Sequence, residues 1–209
     1  MLLDADDSQL LLVDYQTRLM PVIFENELVI ANAVRLARMA LAMQVPVWGT
    51  EQTPDKLGAN VDAVRLAIES AGGRTLAKAH FSAVADGLMD WLRPPVRKPT
   101  QGGNVRSLPK HLQRAAPEPE EGRSTIVIAG CEAHVCLMQT ALDLLEEEFE
   151  VWVVTDACSS RTERNRDAAF DRLAGNGAEL VTTEMVAFEW LRTAEHEAFK
   201  EILGLVKQT

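Results

Sequence analysis

The chain alternates short apolar runs with longer amphipathic stretches, which predicts strands alternating with helices. Runs made almost wholly of apolar residues are typical of strands buried on both faces. Four runs have this character: 10–14, 45–49, 124–129 and 151–155. Two weaker runs, 75–78 and 179–182, are predicted as further strands. Apolar residues three and four positions apart instead predict helices. They do so over 25–43, 60–70, 84–92, 133–148 and 164–176, followed by two short helices at the C-terminal end.

This alternation predicts an α/β fold of three layers, α-β-α, with a Rossmann-like, mainly parallel sheet of about six strands. The chain of 209 residues is of a length that suits one large domain, 1–209. Ligands of such sheets bind beyond the carboxyl ends of the strands. Asp14, Lys78 and Cys136 all lie at or just past predicted strand ends. We therefore expect a functional site at that edge.

The segment 93–123 differs from the rest of the chain. It holds six of the nine prolines, the pair Gly102-Gly103 and an acidic Pro-Glu-Pro-Glu-Glu run, with little apolar periodicity. This composition predicts an extended excursion from the domain rather than a second domain. A solvated loop, a lid and an arm that contacts another subunit are all open interpretations.

Composition narrows the class of protein. Apolar residues make up 47% and charged residues 25% of the chain, as in ordinary soluble globular proteins. The net charge of −10 argues against nucleic acid or an anionic membrane as the main partner. No apolar run approaches the roughly 18 residues needed to cross a bilayer. Three cysteines without paired spacing, and an acidic start, predict a cytoplasmic protein.

Cys136 is the strongest candidate for chemistry. The apolar run that ends at Gly130 is followed by a turn and then by the predicted helix, so Cys136 falls at the start of that helix. Unpaired backbone N–H groups and the helix dipole there favour a thiolate. We therefore expect a nucleophile. Cys131 and Cys158 lack this context and are interpreted as packing residues, and Cys131 has no Cys-x-x-Cys spacing that would support a redox pair with Cys136.

Asp14 and Lys78 complete the candidate site. A carboxylate at the end of an apolar strand is costly unless it is paired, and it could take the thiol proton as a general base. A cation beside it would lower the thiol pKa and hold the carboxylate charge. The alternatives are a local hydrogen-bonding role for Asp14 and a solvated Lys78.

Several motifs together resemble the isochorismatase-like cysteine hydrolases, a superfamily that includes nicotinamidases. The resemblance spans roughly residues 10–186 and is closest to the isochorismatase domain-containing subgroup. The motifs are Asp14-Tyr15-Gln16, Lys78 followed by Phe81-Ser82, Gly-x-Glu-x-His-Val-Cys ending at Cys136, Thr140-Ala-Leu-Asp-Leu-Leu and Val153-Val-Thr-Asp-Ala.

The resemblance implies roles for individual residues. It makes Cys136 the nucleophile, Asp14 the proton shuttle and Lys78 the charge partner. It also implies a cis peptide bond at Cys131–Glu132, with the backbone N–H groups of Glu132 and Cys136 forming an oxyanion hole. The superfamily's habit of assembling implies a homo-oligomer, a dimer or larger.

No metal or other cofactor is expected. Nicotinamidases carry an Asp-x-His metal motif after the second strand, whereas this chain reads Thr50-Glu51-Gln52 there. Its four histidines are scattered and have no ligand spacing.

The sequence thus predicts a metal-independent cysteine hydrolase that cleaves an amide-type C–N bond of a small molecule through a thioester. Two other classes remain open, a catalytically silent interaction protein on the same fold and a thiol-redox protein. The candidate pocket residues are Gln16, Trp48, Glu51, Phe81 and His134.

Overall fold

The computed structural model describes residues 1–94 and 122–207 of the chain. Within them, six strands form one parallel sheet: β1 (Ser8–Val13), β2 (Val47–Gln52), β3 (Arg74–Lys78), β4 (Thr125–Gly130), β5 (Glu150–Val154) and β6 (Glu179–Val181). The described α-helices are α1 (Asn26–Ala42), α2 (Pro54–Leu57), α3 (Asp62–Ser70), α4 (Met89–Leu92), α5 (Met138–Glu146), α6 (Glu163–Gly175), α7 (Thr183–Leu191) and α8 (Phe199–Val206).

The order of strands in the sheet is β3-β2-β1-β4-β5-β6. The chain therefore winds outward from β1 in one direction, returns, and winds outward from β4 in the other. All residues of β1 and β4 are buried, as their apolar runs predict. The winding direction reverses between β1 and β4. Sheets of this kind bind ligands beyond the carboxyl ends of the strands at such a reversal.

The helices cover both faces of the sheet. Helix α1 packs on α3, α7 and α8, whereas α5 packs on α6. Together with the sheet, these two groups give the three-layer α-β-α architecture that the sequence predicts. Apolar side chains from the sheet and from both helix layers belong to one core cluster.

Three elements differ from their predicted form. The helix predicted over 84–92 is instead a short 3-10 turn, Val84–Asp86, followed by α4, because Gly87 between them has a φ of 92°. Strand β2 continues to Gln52, beyond the predicted end at residue 49. The helix predicted from residue 133 opens with a π turn, Ala133–Leu137, before α5 begins.

The predicted excursion lies almost wholly outside the described residues, since 95–121 are not among them. Among the helices that are described, none combines the length and the apolar character needed to cross a membrane.

Candidate active site

Asp14 occupies the turn that ends β1. Its φ of 53° directs the chain out of the sheet immediately after Val13. The backbone N–H of Asp14 still donates to the carbonyl of Thr50 on β2, at 3.2 Å. The Thr50 hydroxyl donates to Asp14 Oδ1 at 2.7 Å. The carboxylate is therefore fully buried and held by β2 from one side.

Lys78 is the last residue of β3 and lies against Asp14. Its Nζ is 2.8 Å from Asp14 Oδ2, and both side chains are completely buried. The ammonium donates to Gln52 Oε1 at 2.7 Å, to the Phe81 carbonyl at 3.0 Å and to the His80 carbonyl at 3.3 Å.

An ammonium has three N–H groups, and these three acceptors use all of them. Consistently, Asp14 Oδ2 accepts no hydrogen bond from the described residues despite its contact with Lys78. Lys78 thus supplies a neutralising charge and leaves the lone pairs of Oδ2 available.

The loop after β3 is anchored so that its carbonyls face Lys78. The Asp86 carboxylate accepts from the backbone N–H groups of Ala79 and His80, at 2.9 and 2.8 Å. The Ser82 hydroxyl donates to Asp143 of α5, and the Ala83 N–H donates to Thr140 of the same helix. The motif in which Phe81 and Ser82 follow Lys78 is therefore a cradle for the ammonium.

Cys136 lies in the π turn that precedes α5, and it is only 6% exposed. Its Sγ lies 3.9 Å from Gln52 Oε1, to which the thiol donates. Burial, followed by the negative charge of Asp14, raises the pKa of the Cys136 thiol to about 12, although Lys78 acts in the opposite direction.

This pKa corrects the prediction that helix-start placement favours a thiolate. Removal from water disfavours the charged sulfur more than the turn and the lysine favour it. At neutral pH the residue is therefore a thiol, and the carboxylate of Asp14 is a negative charge close to it.

The turn between β4 and Cys136 has a cis peptide bond at Cys131–Glu132. Among the described residues, the backbone N–H of Glu132 has no acceptor. The Glu132 carboxylate accepts from both the backbone N–H and the Nε of Arg161, each at 3.0 Å. The Ala133 N–H donates to the Ser159 carbonyl at 2.8 Å. The segment before α6 therefore braces this turn.

The five predicted pocket residues lie in different surroundings. His134 is half-buried in the π turn, and its Nδ1 is 2.9 Å from the Ser160 hydroxyl. Phe81 is 53% exposed, while its carbonyl accepts from Lys78. The Glu51 carboxylate accepts from the backbone N–H of Asn60 at 2.8 Å. Gln16 is fully buried, and its amide is bonded to the main chain of Gln52 and Gly58.

Trp48 lies outside the candidate site. It pairs with Leu11 and Arg74 near the amino end of β2, whereas Asp14 and Lys78 lie at the carboxyl edge. Its ring packs 5.7 Å from that of Trp91, and the Arg74 guanidinium lies over both rings. Trp48 therefore belongs to a cluster at the opposite edge of the sheet.

Gln52 is the residue that sequence reasoning missed. Its Oε1 faces both the Lys78 ammonium and the Cys136 thiol. The predicted strand ends at residue 49, which leaves Gln52 in the following loop, where a side chain has no defined direction. A longer strand would have shown that Thr50 and Gln52 share a face.

No group of three or more His, Cys, Asp or Glu side chains within the described ranges could hold a metal ion. At the place where nicotinamidases carry a metal motif, the Gln52 amide oxygen accepts a hydrogen bond from Lys78.

Comparison with known proteins gives the family. The Isochorismatase domain matches residues 8–185 of this chain. Isochorismatase domain-containing protein 2A of Mus musculus is 32% identical over 203 residues, which cover 97% of this chain and 84% of the mouse protein. The structure of MAR1 ribonuclease from Caenorhabditis elegans superposes with a TM-score of 0.83 at 26% identity, covering 100% of this chain and 94% of that one.

Two structures of YcaC are also similar. The Pseudomonas aeruginosa protein, solved with hexane-2,5-diol and covalent acrylamide, has a TM-score of 0.77 and 26% identity over 98% of this chain and 91% of its own. The Escherichia coli protein, described as an octameric hydrolase of unknown specificity, has a TM-score of 0.78 and 25% identity over 98% and 89%. By its matched domain, its relatives and its fold, this chain belongs to the isochorismatase domain family of hydrolases.

Proposed function

We propose that this protein is a cysteine hydrolase that cleaves the C–N bond of a small carboxamide. Cys136 is the nucleophile, Asp14 transfers protons, and Lys78 is the fixed counter-charge. The observation that carries the proposal is the unbonded Asp14 Oδ2, which lies beside a protonated thiol and against a cation whose hydrogen bonds are all directed elsewhere.

The first half of the reaction forms a thioester. Asp14 Oδ2 takes the thiol proton as Cys136 Sγ attacks the carboxamide carbon, so that an S–C bond forms and the carbonyl oxygen becomes an oxyanion. The oxyanion then collapses as the C–N bond breaks and Asp14 returns the proton to the departing nitrogen. Ammonia or an amine leaves, and the acyl group remains on the sulfur.

The second half releases the acyl group. Asp14 takes a proton from a water molecule, whose oxygen attacks the thioester carbon. The C–S bond then breaks, the carboxylic acid leaves, and the proton restores the Cys136 thiol. Lys78 keeps a positive charge beside Asp14 throughout, because its three N–H groups stay on fixed acceptors.

Backbone N–H groups of Glu132 and Cys136 would stabilise the oxyanion. The support for Glu132 is that its N–H has no acceptor among the described residues, while Arg161 holds its side chain. Donors of this kind lower the barrier of acyl transfer by roughly 3–4 kcal/mol each. Phe81, His134 and Glu51 are proposed to contribute to the substrate side of the site.

The relatives support a small-molecule substrate and an assembly. A covalent acrylamide is described for P. aeruginosa YcaC, and acrylamide is a small molecule that reacts with thiols. The E. coli protein is described as octameric, which supports a homo-oligomer here.

The C. elegans relative is named as a ribonuclease. The net charge of −10 makes RNA a poor substrate for this chain, because like charges repel. We also propose a cytoplasmic location.

A screen of primary carboxamides for ammonia release tests the proposal. We expect turnover of at least one compound, a mass increase equal to its acyl group on Cys136, and no turnover in Cys136→Ala. Cys158→Ala removes another buried thiol and is the matched control, with activity expected to remain.

Undiminished hydrolysis by Cys136→Ala would contradict the proposed nucleophile. An interaction protein without turnover predicts no acyl adduct with any carboxamide. A thiol-redox protein predicts formation of sulfenic acid on Cys136 with peroxide, followed by recycling with a thiol.

A further inference from the structure

Strand β2 extends further than its neighbour β1. The last residues of β2 therefore have no neighbouring strand on the β1 side. The last β1–β2 pair is Val13 with Thr50, and the chain then turns away at Asp14. Gln52 lies two residues further along β2 and still pairs with Lys78 on the other side. Its backbone N–H and C=O on the β1 side therefore have no strand to bond to. Buried backbone groups without partners are costly.

The side chain of Gln16 fills this gap. Its Oε1 accepts from the Gln52 backbone N–H at 2.9 Å, and its Nε2 donates to the Gln52 carbonyl at 3.0 Å. The second hydrogen of Nε2 goes to the Gly58 carbonyl at 2.6 Å. One side-chain amide thus offers β2 the acceptor and donor that a neighbouring peptide group would have offered.

We infer that Gln16 is a positioning residue, whose amide replaces β1 beside β2 and thereby holds Gln52 against Lys78 and Cys136. The inference rests on the proposed function, because it assigns Gln16 to the same site. It also replaces the direct substrate contact expected of Gln16, since every hydrogen-bonding group of this buried side chain is taken by main chain.

The Gln52 side chain connects this fixed part of the backbone to the reacting groups. Its Nε2 donates to the Ala79 carbonyl at 2.7 Å and to the Thr53 hydroxyl at 3.1 Å, which fixes the direction of Oε1. Oε1 then accepts from Lys78 and from the thiol. Without this acceptor, one N–H of Lys78 is free to bond Asp14 Oδ2, only 2.8 Å away. A carboxylate oxygen that accepts such a bond is a weaker proton acceptor.

The test measures alkylation of Cys136 by iodoacetamide as a function of pH, with fragmentation mass spectrometry to assign the labelled cysteine. We expect Gln16→Met and Gln52→Met each to lower the rate constant for Cys136 alkylation at pH 8 about tenfold. This corresponds to a shift of the pH profile by about one unit towards higher pH. Because both act through one contact, the double variant should be no slower than the slower single variant.

Gln9→Met is the matched control. Gln9 is a buried glutamine on β1 that donates to the Leu92 and Arg123 carbonyls and accepts from Trp48, at the opposite edge of the sheet. Loss of the Gln9 amide should lower thermal stability. The rate constants for Cys136 alkylation should stay within about twofold of those of the unaltered protein.

An unchanged profile in Gln16→Met beside a slowed Gln52→Met would overturn the inference, and so would equal slowing by Gln9→Met. If Gln16→Met does not fold, Gln16→Asn keeps the amide but shortens its reach, and the same slowing is expected. Failure of the unaltered protein to hydrolyse any carboxamide would reject the proposed function, while the alkylation comparison would still decide the role of Gln16.

Discussion

Lys78 Nζ lies 2.8 Å from Asp14 Oδ2, yet it directs its three hydrogen bonds to Gln52, His80 and Phe81. The pair is therefore held together by charge, with its geometry set by the neighbours of the lysine. A buried carboxylate is stabilised in this way without losing the lone pairs on one of its oxygens. That arrangement suits a group that must accept a proton and return it.

Lys78→Met should be strongly destabilising, because it leaves the buried Asp14 charge without a partner. Breaking a buried ion pair in this way costs about 3–5 kcal/mol of unfolding free energy. Urea denaturation measures the loss, and adding Asp14→Asn should recover much of it. Arg65→Met is the control, since Arg65 forms only exposed pairs with Asp62 and Glu69, and the denaturation midpoint should barely move. Equal effects of the two methionine substitutions would contradict this account of the buried pair.

Ser82→Ala should loosen the loop that presents carbonyls to Lys78. The substitution removes the hydrogen bond from the Ser82 hydroxyl to Asp143, while the Ala83 bond to Thr140 remains. We expect the amides of residues 78–83 to exchange with deuterium about tenfold faster, which is the effect of losing about 1.4 kcal/mol of protection. Ser70→Ala removes an exposed hydroxyl bond within α3 and should leave this loop unaffected. Unchanged exchange in Ser82→Ala would show that the bonds to Asp86 and Thr140 hold the loop without Ser82.

Buried thiols should make the fold sensitive to alkali. Burial raises the pKa of the Cys131 thiol from 9.0 to about 12. Its contribution to stability is therefore fully present below pH 9 and is lost as the pH rises towards 12. At pH 11 the loss for this thiol is about 2–3 kcal/mol. Denaturation between pH 7 and 11 should show a shallower decline in Cys131→Ala than in the unaltered protein. Parallel curves would contradict the raised pKa.

Gly130→Ala should prevent β4 from pairing normally with β1. A Cβ at this position would lie 2.2 Å from the Val13 carbonyl oxygen and 2.6 Å from the Val13 Cβ, and the residue has a φ of 152°. Neither neighbour can move, because both strands are central and buried. We expect a loss of about 3 kcal/mol or more in unfolding free energy, or no folded protein. Gly175→Ala in α6 meets no described atom within 4 Å and should stabilise the protein by about 0.5–1 kcal/mol. A stable Gly130→Ala protein would show that the two strands can separate.

The number of strands, their parallel pairing and the three layers follow from patterns that are readable in the sequence. The four mainly apolar runs became the inner strands β2, β1, β4 and β5, and the two weaker runs became the edge strands β3 and β6. Asp14, Lys78 and Cys136 meet because parallel strands end at one edge, so their positions after separate runs were enough to predict their proximity.

Other features of the site depend on contacts that no local pattern records. At the end of β2, the main chain of Gln52 is bonded by the Gln16 side chain, which lies 36 residues earlier. Trp48 lies away from the site because β2 begins at Val47 and continues to Gln52, which puts the tryptophan near the amino end of the strand. The protonated state of Cys136 reflects the depth of its burial, which spacing does not report.

The central position of β1 also has a consequence for synthesis on the ribosome. The segment that emerges first contains Asp14, Gln52 and Lys78 on three neighbouring strands, but one flank of β1 stays bare until β4 is made. Cys136 follows β4 directly. A nascent chain therefore carries the acid and the amine long before it carries the sulfur. The proposed nucleophile arrives last, together with the strand that closes the middle of the sheet.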